Sequence, residues 1–430
     1  MQITPAVEFF IRDVERRLEG NPRRAAMFRT CFTNTITTTM QPMPDGTTFV
    51  ITGDIPAMWL RDSAAQVRPY LALAAHDPEV AAMIAGVVRR QMRYVTIDPY
   101  ANAFNAESNG RRWDAADETE MNDWLWERKY EVDSLCYPLQ LAYLLWRATG
   151  DTAHLDATFR EAAERILRTW RTEQRHANSR YSFVRRNCPP TDTLSHEGRG
   201  APVAETGMTW SGFRPSDDAC VYGYLVPSNM FAAVALGYLA EIAQALDDAA
   251  LRDEARALEA EIRAGIAAHA TVEHPEHGQI YAYETDGLGN YTLMDDANVP
   301  SLLSLPYLGW CAPDDPLYLR TRAFVLSPSN PFFYRGTAAE GVGSPHTPPR
   351  YIWHIALAMQ GLTATDPAER ERLLELMERT DAGAGMMHEG FDVDDPAKFT
   401  RPWFSWANMM YCELVLASLG VWVPGSPLAR

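Results

Sequence analysis

The sequence predicts an all-α protein, an (α/α)6 barrel of six helical hairpins with long loops at one rim. Apolar residues recur with the period of a helix over most of the chain. The helices come in pairs joined by short polar segments, and long segments separate one pair from the next. Helical hairpins arranged in a ring have this pattern, with every long loop at the same rim. A functional site is expected among those loops.

The pattern indicates twelve helices, most of them bounded by Pro, Gly, Asp or Ser. They cover residues 5–19, 59–75, 77–96, 131–149, 151–174, 227–247, 249–270, 296–309, 315–326, 349–363, 366–380 and 402–420. The long segments are 20–58, 97–130, 175–226, 271–295, 327–348 and 381–401. Short strands are expected near 48–53 and 279–284. No composition shift divides the chain, so residues 1–430 are predicted to form one domain.

The two rings differ in composition. The helices predicted over 151–174, 249–270 and 366–380 are rich in Ala, Glu and Arg, which is typical of a solvent-facing layer. The helices predicted to form the inner ring carry more Trp, Tyr, Cys and small residues.

Bulk composition excludes several classes of function. The net charge of −17 argues against nucleic acid and against an anionic membrane surface, because both attract basic proteins. No apolar run approaches the length of a membrane span, and the first residues lack the features of a signal peptide, so a cytoplasmic location is expected. The six cysteines are scattered singly, which indicates reduced thiols. A neutral substrate fits this composition.

Two loops combine carboxylates with aromatic side chains. The loop at 206–218 carries two aromatics, an arginine, Asp217 and Asp218 between Gly and Pro residues that block regular structure. The loop at 388–392 carries Glu389 and leads into aromatics at 403–406. Hydrolysis of a glycosidic bond needs one acid to protonate the leaving oxygen and a second carboxylate to activate water or attack directly. Aromatic rings stack on sugar faces.

Seven motifs resemble glycoside hydrolase family 125, the exo-α-1,6-mannosidases. They are GDIPAMWLRDS at 53–63, WERKYEVDSLCYP at 126–138, GMTWSGFRPSDDA at 207–219, MDDANVPSLLSLPYLG at 294–309, GVGSPHTP at 341–348, YIWHIALAMQ at 351–360 and HEGFD at 388–392. The resemblance implies the (α/α)6 fold, an inverting exo-α-mannosidase acting on terminal α-1,6-linked mannose of an oligosaccharide or glycan, and neither metal nor cofactor.

The resemblance also implies the catalytic pair. Its general base corresponds to Glu389, and its general acid is Asp217 or Asp218. Neighbouring residues of extended backbone point to opposite faces, so one of the two aspartates is expected to reach the sugar and the other to cap the next turn.

Six further residues are predicted to hold the terminal mannose. They are Trp59, Arg61, Asp62, Arg214, His346 and His354. Three of them have a structural alternative: Trp59 and Arg61 could form a buried stack or ion pair, and His354 lies in an apolar helix where a core histidine is the commoner role.

Two other classes of function remain open. The first keeps the barrel and changes the reaction, to a glucoamylase-like hydrolase or to a sugar epimerase that would use His346 and His354 as proton shuttles. The second is a non-catalytic glycan-binding protein. HExxH and EF-hand spacings are absent, so no metal site is predicted.

Overall fold

A computed structural model describes residues 2–429. The helices are α1 (Pro5–Arg17), α2 (Pro22–Asn34), α3 (Leu60–Val67), α4 (Leu71–Ala74), α5 (Pro78–Ile97), α6 (Val132–Thr149), α7 (Ala157–Glu173), α8 (Ser195–Gly198), α9 (Val226–Ala245), α10 (Ala249–His269), α11 (Leu305–Leu308), α12 (Pro316–Val325), α13 (His354–Leu362), α14 (Pro367–Arg379) and α15 (Ser405–Ser418). A π-helical segment, Thr35–Thr39, follows α2, and a 3-10 turn, Arg68–Tyr70, joins α3 to α4.

The strands are short and lie in small antiparallel sheets of two or three strands. They are β1 (Met40–Pro42), β2 (Thr48–Val50), β3 (Met58–Trp59), β4 (Ala103–Phe104), β5 (Leu125–Glu127), β6 (Tyr224–Leu225), β7 (Thr271–His274), β8 (Gly278–Tyr281), β9 (Glu284–Thr285), β10 (Tyr291–Thr292), β11 (Phe333–Arg335), β12 (Glu340–Val342), β13 (Tyr351–Trp353) and β14 (Gly390–Asp392). The strands expected near 48–53 and 279–284 are present as β2 and β8. Three strands, β3, β6 and β13, lead directly into helices α3, α9 and α13.

The helices form two rings, which confirms the predicted (α/α)6 barrel. The inner ring consists of α3, α6, α9, α11, α13 and α15: α3 packs on α6 and α15, α6 packs on α9, α9 packs on α11, and α13 packs on α15. The outer ring consists of α2, α5, α7, α10, α12 and α14. Each outer helix is followed by an inner helix after a long connection, and short joints lead back outward. The inner helices therefore all begin at the rim that carries the long loops.

Two predicted elements are wrong. The predicted helix at 296–309 is reduced to α11, because the carboxylate of Asp295 accepts hydrogen bonds from the amides of Leu302 (2.8 Å) and Leu303 (3.0 Å) and folds the chain around itself. The predicted loop at 20–58 contains α2, an outer helix. Asn21 caps α2, and Pro22 occupies its first turn, where a missing N–H costs nothing.

The two rings start their helices differently. Each outer helix begins after an Asn or Asp whose side chain accepts a backbone N–H of the first turn; these residues are Asn21, Asp77, Asp156, Asp248, Asp315 and Asp366. Within residues 2–429, no inner helix has a side-chain cap. The first N–H groups of the inner ring are thus left at the rim with the long loops.

A contiguous cluster of buried apolar side chains runs from Val7 to Val423. Helix α9 is long and apolar enough to cross a membrane by composition alone, but 83% of that stretch is buried inside the barrel, as an inner helix requires. All six cysteines are free. The single domain over residues 1–430 stays a prediction.

Candidate active site

Two connected cavities open at the rim where the inner helices begin. The inner one has a volume of about 370 Å³ and the outer one about 1080 Å³, each including space open to solvent. Six residues line both and mark the passage between them: Ile55, Trp59, Asp217, His346, Glu389 and Arg401. The structure therefore brings Asp217 and Glu389, from loops far apart in the chain, to one passage.

A tight turn presents Asp217. The amide of Asp217 donates to the carbonyl of Arg214 (2.9 Å), and the amide of Arg214 donates to the carbonyl of Asp218 (2.8 Å). Asp217 itself has a φ of 66°, in the left-handed region that non-glycine residues seldom occupy. Such strain persists where the surroundings fix it and is common at functional sites.

The structure separates the two aspartates. The side chain of Asp217 is 23% exposed at the passage. Asp218 lines only the outer cavity, where its carboxylate contacts the hydroxyl of Ser216 (3.2 Å) and Nδ1 of His346 (3.3 Å). Both oxygens of Asp218 are thus engaged by the protein, and Asp217 is the aspartate at the passage.

Arg61 lies at the floor of the inner cavity among four carboxylates. Its Nη1 donates to Glu131 (2.6 Å) and Asp133 (3.1 Å), its Nη2 donates to Asp217 (3.3 Å), and its Nε lies 3.6 Å from Asp62. One guanidinium cannot neutralise four buried carboxylates, so the cluster retains protons.

Glu131 and Asp217 contact the same guanidinium, that of Arg61. Burial raises the pKa of Glu131 well above its usual value, against the attraction of Arg61. Burial also acts to raise the pKa of Asp217, but Arg61, the adjacent Glu131 carboxyl and the charge of Lys129 together hold it well below its usual range. A proton therefore resides on Glu131 rather than on Asp217.

Asp62 follows Arg61 at the start of α3 and lines the inner cavity. Burial raises the pKa of Asp62 to about 6, although Arg61 and Arg401 oppose the shift. Its side chain is 7% exposed, and it is positioned to accept a hydrogen bond from a neutral hydroxyl.

Glu389 is held by the last long loop. Nη1 of Arg401 lies 3.4 Å from the carboxylate of Glu389, and Nη2 of Arg401 donates to Asp54 at 2.6 Å. The same loop packs tightly on Gly53, where an added Cβ would lie 2.6 Å from the carbonyl oxygen of Trp403, and where φ is 132°. Only glycine fits there.

His346 lies at the passage with a side chain that is 38% exposed. Burial acts to lower its pKa, but the hydrogen bond and charge of Asp218, with the charges of Glu389 and Asp217, raise the pKa to about 9. His346 is therefore an imidazolium at neutral pH and can donate to a sugar oxygen.

Two predicted pocket residues do not line either cavity. Arg214 is buried and donates to Glu284 (2.7 Å), so it fixes the turn that carries Asp217. His354 is fully buried: its Nδ1 accepts the amide of His388 (3.1 Å), and burial lowers its pKa to about 3. His354 is a neutral core histidine, which removes the histidine pair that an epimerase would need.

Buried donors face the inner cavity. In the described part of the chain, the indole N–H groups of Trp59 and Trp406 have no hydrogen-bond partner, although both rings line that cavity. A buried donor without a partner costs free energy unless a ligand satisfies it. These groups fit the hydroxyl oxygens of a sugar.

Several residues of the site were not predicted from the sequence. Glu131, Asp133, Arg401, Asn298 and Trp406 contact Arg61 or Glu389 or line the inner cavity. A usable signal was present in the sequence, because Glu131 and Asp133 place two carboxylates at the start of a strongly apolar helix, α6. Among residues 2–429, the one cluster with the spacing of metal ligands is His274, Glu276 and His277 on the β7–β8 hairpin, which lines neither cavity.

The barrel and the two carboxylates at its passage define a class of enzyme: the protein is a glycoside hydrolase. Residues 21–416 match the family described as metal-independent α-mannosidases (GH125). The chain belongs to this family.

Individual relatives agree with that assignment. A Streptococcus pneumoniae structure of a metal-independent α-mannosidase, a non-productive substrate complex with α-1,6-mannobiose, is 53% identical with a TM-score of 0.96, covering 97% of this chain and 98% of that one. The meiotically up-regulated gene 157 protein of Schizosaccharomyces pombe is 40% identical over 96% of this chain and 85% of its own. A bacterial glucoamylase complexed with acarbose shares only the fold, at 14% identity and a TM-score of 0.55, over 87% of this chain and 51% of its own.

Proposed function

We propose that this enzyme is an inverting exo-α-mannosidase that removes terminal α-1,6-linked mannose from glycans. Asp217 is the general acid and Glu389 is the general base. The single observation that carries this proposal is that both carboxylates line the passage between a small inner cavity and a larger outer one. The α-1,6 preference is supported by the mannobiose complex of the Streptococcus pneumoniae relative.

The inner cavity holds the terminal mannose. Arg61 and Asp62 line it at the start of α3, Trp59 offers a ring face and an unpartnered N–H, and His346 supplies a positive donor at the passage. The bond to be cleaved then lies at the passage, and the rest of the glycan occupies the outer cavity. This arrangement suits an enzyme that removes one sugar from a chain end.

Asp217 receives its proton from Glu131. The proton resides on Glu131, which shares the Arg61 guanidinium with the Asp217 carboxylate. Glu131 first passes its proton to the Asp217 carboxylate, and Asp217 then gives that proton to the leaving oxygen as the C1–O bond breaks. On the other side, Glu389 removes a proton from the attacking water, and inversion follows because water attacks C1 directly.

Hydrolysis of matched disaccharides tests the proposal. We expect release of mannose from α-1,6-mannobiose and little release from α-1,2- or α-1,3-mannobiose or from α-1,6-linked glucose disaccharide. Preference for the glucose disaccharide would favour the glucoamylase-like alternative. Binding of mannobiose without turnover would favour the non-catalytic alternative.

A further inference from the structure

Trp113 is an exposed aromatic residue in the outer cavity. Seven large hydrophobic side chains are exposed among residues 2–429: Phe9, Trp113, Val221, Leu246, Leu288, Tyr291 and Leu319. Of these, Trp113 alone lines either cavity, and this residue is 53% exposed. A large aromatic surface left in water at a ligand cavity indicates a contact made with the ligand.

The backbone that carries Trp113 is held in place. Its amide donates to the carbonyl of Trp126 (2.8 Å), and the amide of Gly110 donates to the carbonyl of Asp123 (3.0 Å). The buried side chain of Asn105 donates to the carbonyl of Arg111 (2.7 Å). The ring is therefore presented by an ordered segment, which limits the entropy lost when a ligand binds.

The charges of the outer cavity are already paired. Arg185 bonds to Asp117 (2.7 Å), Glu127 (2.8 Å) and Asp192 (2.9 Å), and Lys129 bonds to Asp192 and to the carbonyl of Asp217. Arg185 and Lys129 are therefore both held by carboxylates, and neither is free to bind a phosphate or carboxylate. The cavity thus favours a neutral saccharide over an anionic one.

We propose that Trp113 is the platform of a distal subsite, which stacks on the third sugar of the substrate counted from the cleaved end. This inference rests on the proposed function. Trp59 lines both cavities and lies beside the scissile bond, whereas Trp113 lines only the outer, larger cavity. The subsite makes the enzyme prefer chains of three or more neutral sugars to disaccharides.

Chain-length dependence tests the subsite. The measured quantity is the ratio of kcat/KM for linear α-1,6-mannotriose to kcat/KM for α-1,6-mannobiose. For the wild type we expect a ratio of about 3 to 10, the range that one aromatic stacking contact supplies. Trp113→Ala should bring the ratio close to one, and Trp113→Phe should keep part of it. Phe9→Ala, which removes an exposed aromatic from α1, is the matched control.

Each result that departs from these expectations overturns a different part of the proposal. A wild-type ratio of one, or a ratio that Trp113→Ala leaves unchanged, overturns the subsite and leaves the proposed function intact. A loss in Trp113→Ala that is equal for both substrates places the ring against the second sugar and overturns the assignment to the third. Absence of mannose release from both substrates by the wild type overturns the proposed function and the subsite with it.

Discussion

The residue that precedes each helix has a different role at the two rims of the barrel. At the rim with short joints, the residue that precedes each outer helix is an Asn or Asp cap. At the rim with long loops, four inner helices have Trp59, Glu131, Trp353 and Phe404 at that position, and these side chains line the inner cavity or hold Arg61. A missing cap costs about 0.5–2 kcal/mol. The rim with long loops, the open rim, lacks this stabilisation because the same positions carry residues of the site. Functional sites often reduce stability in this way.

The largest expected effects come from the two carboxylates of the open rim. Asp217→Asn and Glu389→Gln should each lower kcat on α-1,6-mannobiose by about 10²–10⁴-fold, because general acid and base catalysis contribute that much. Circular dichroism should show an unchanged fold. Asp218→Asn is the matched variant and should have a smaller effect, since Asp218 bonds to protein groups. A larger loss in Asp218→Asn would reverse the assignment of the acid.

The second-largest effect on kcat is expected at Glu131, the residue that holds the proton. Glu131→Gln keeps the shape and polarity of the side chain but removes the transferable proton. We expect kcat to fall by about 10–100-fold, less than for Asp217→Asn. The acid limb of the pH–rate profile should move as well, which a purely structural role would not cause. Ser134→Ala, which removes only the hydroxyl donor to Glu131 (2.7 Å), serves as control. An unchanged kcat and profile in Glu131→Gln would contradict the relay.

A smaller effect concerns the stability of the open rim. The pKa of Asp62 is raised to about 6 from an ordinary 3.8, so between these values the folded state holds a proton that the unfolded state has lost. The contribution of Asp62 to stability therefore falls as pH rises through that window. Asp62→Asn should stabilise the protein by up to about 3 kcal/mol at pH 7 and by almost nothing near pH 3.5.

Melting temperatures measured from pH 3.5 to pH 7 check this prediction. The difference in Tm between Asp62→Asn and the wild type should grow up to about pH 6 and then level off. Asp366→Asn changes an exposed helix cap at the rim with short joints, the closed rim, and should show no such growth. A difference that is constant over the whole range would contradict the buried, shifted carboxyl.

The smallest effect is at the closed rim. Asp366 accepts the amide of Ala368 (2.9 Å) at the start of α14. Asp366→Ala should cost about 1 kcal/mol in the free energy of unfolding and leave kcat/KM unchanged, whereas Asp366→Asn should keep the cap. Chemical denaturation and a mannobiose assay measure both quantities. A loss of activity in Asp366→Ala would show that the two rims are not independent.

Most of the barrel can be predicted from the sequence because the two patterns that indicate it involve residues close together in the chain. Helical periodicity and short polar joints mark the hairpins directly. The helix predicted at 296–309 was wrong because Asp295 takes backbone amides seven and eight residues away, which periodicity does not reveal. Helix α2 was missed although Asn21 and Pro22 marked its start.

The residues of the candidate site were likewise predicted only in part. Trp59, Arg61, Asp62 and His346 were predicted from their motifs, and the structure places them in the inner cavity. Arg214 and His354 were placed there too, but their partners, Glu284 and His388, lie 70 and 34 residues further along the chain. Pairings between distant segments decide which polar residues face the cavity, and composition alone does not indicate them.

Proton NMR of the first-formed sugar tests the central claim most directly. The claim is that Asp217 and Glu389 act on one bond through a water molecule rather than through a covalent intermediate. When the wild type hydrolyses α-1,6-mannobiose in an NMR tube, β-mannose should appear first and then equilibrate to the α-anomer. Initial release of α-mannose would make one carboxylate a nucleophile and contradict the account.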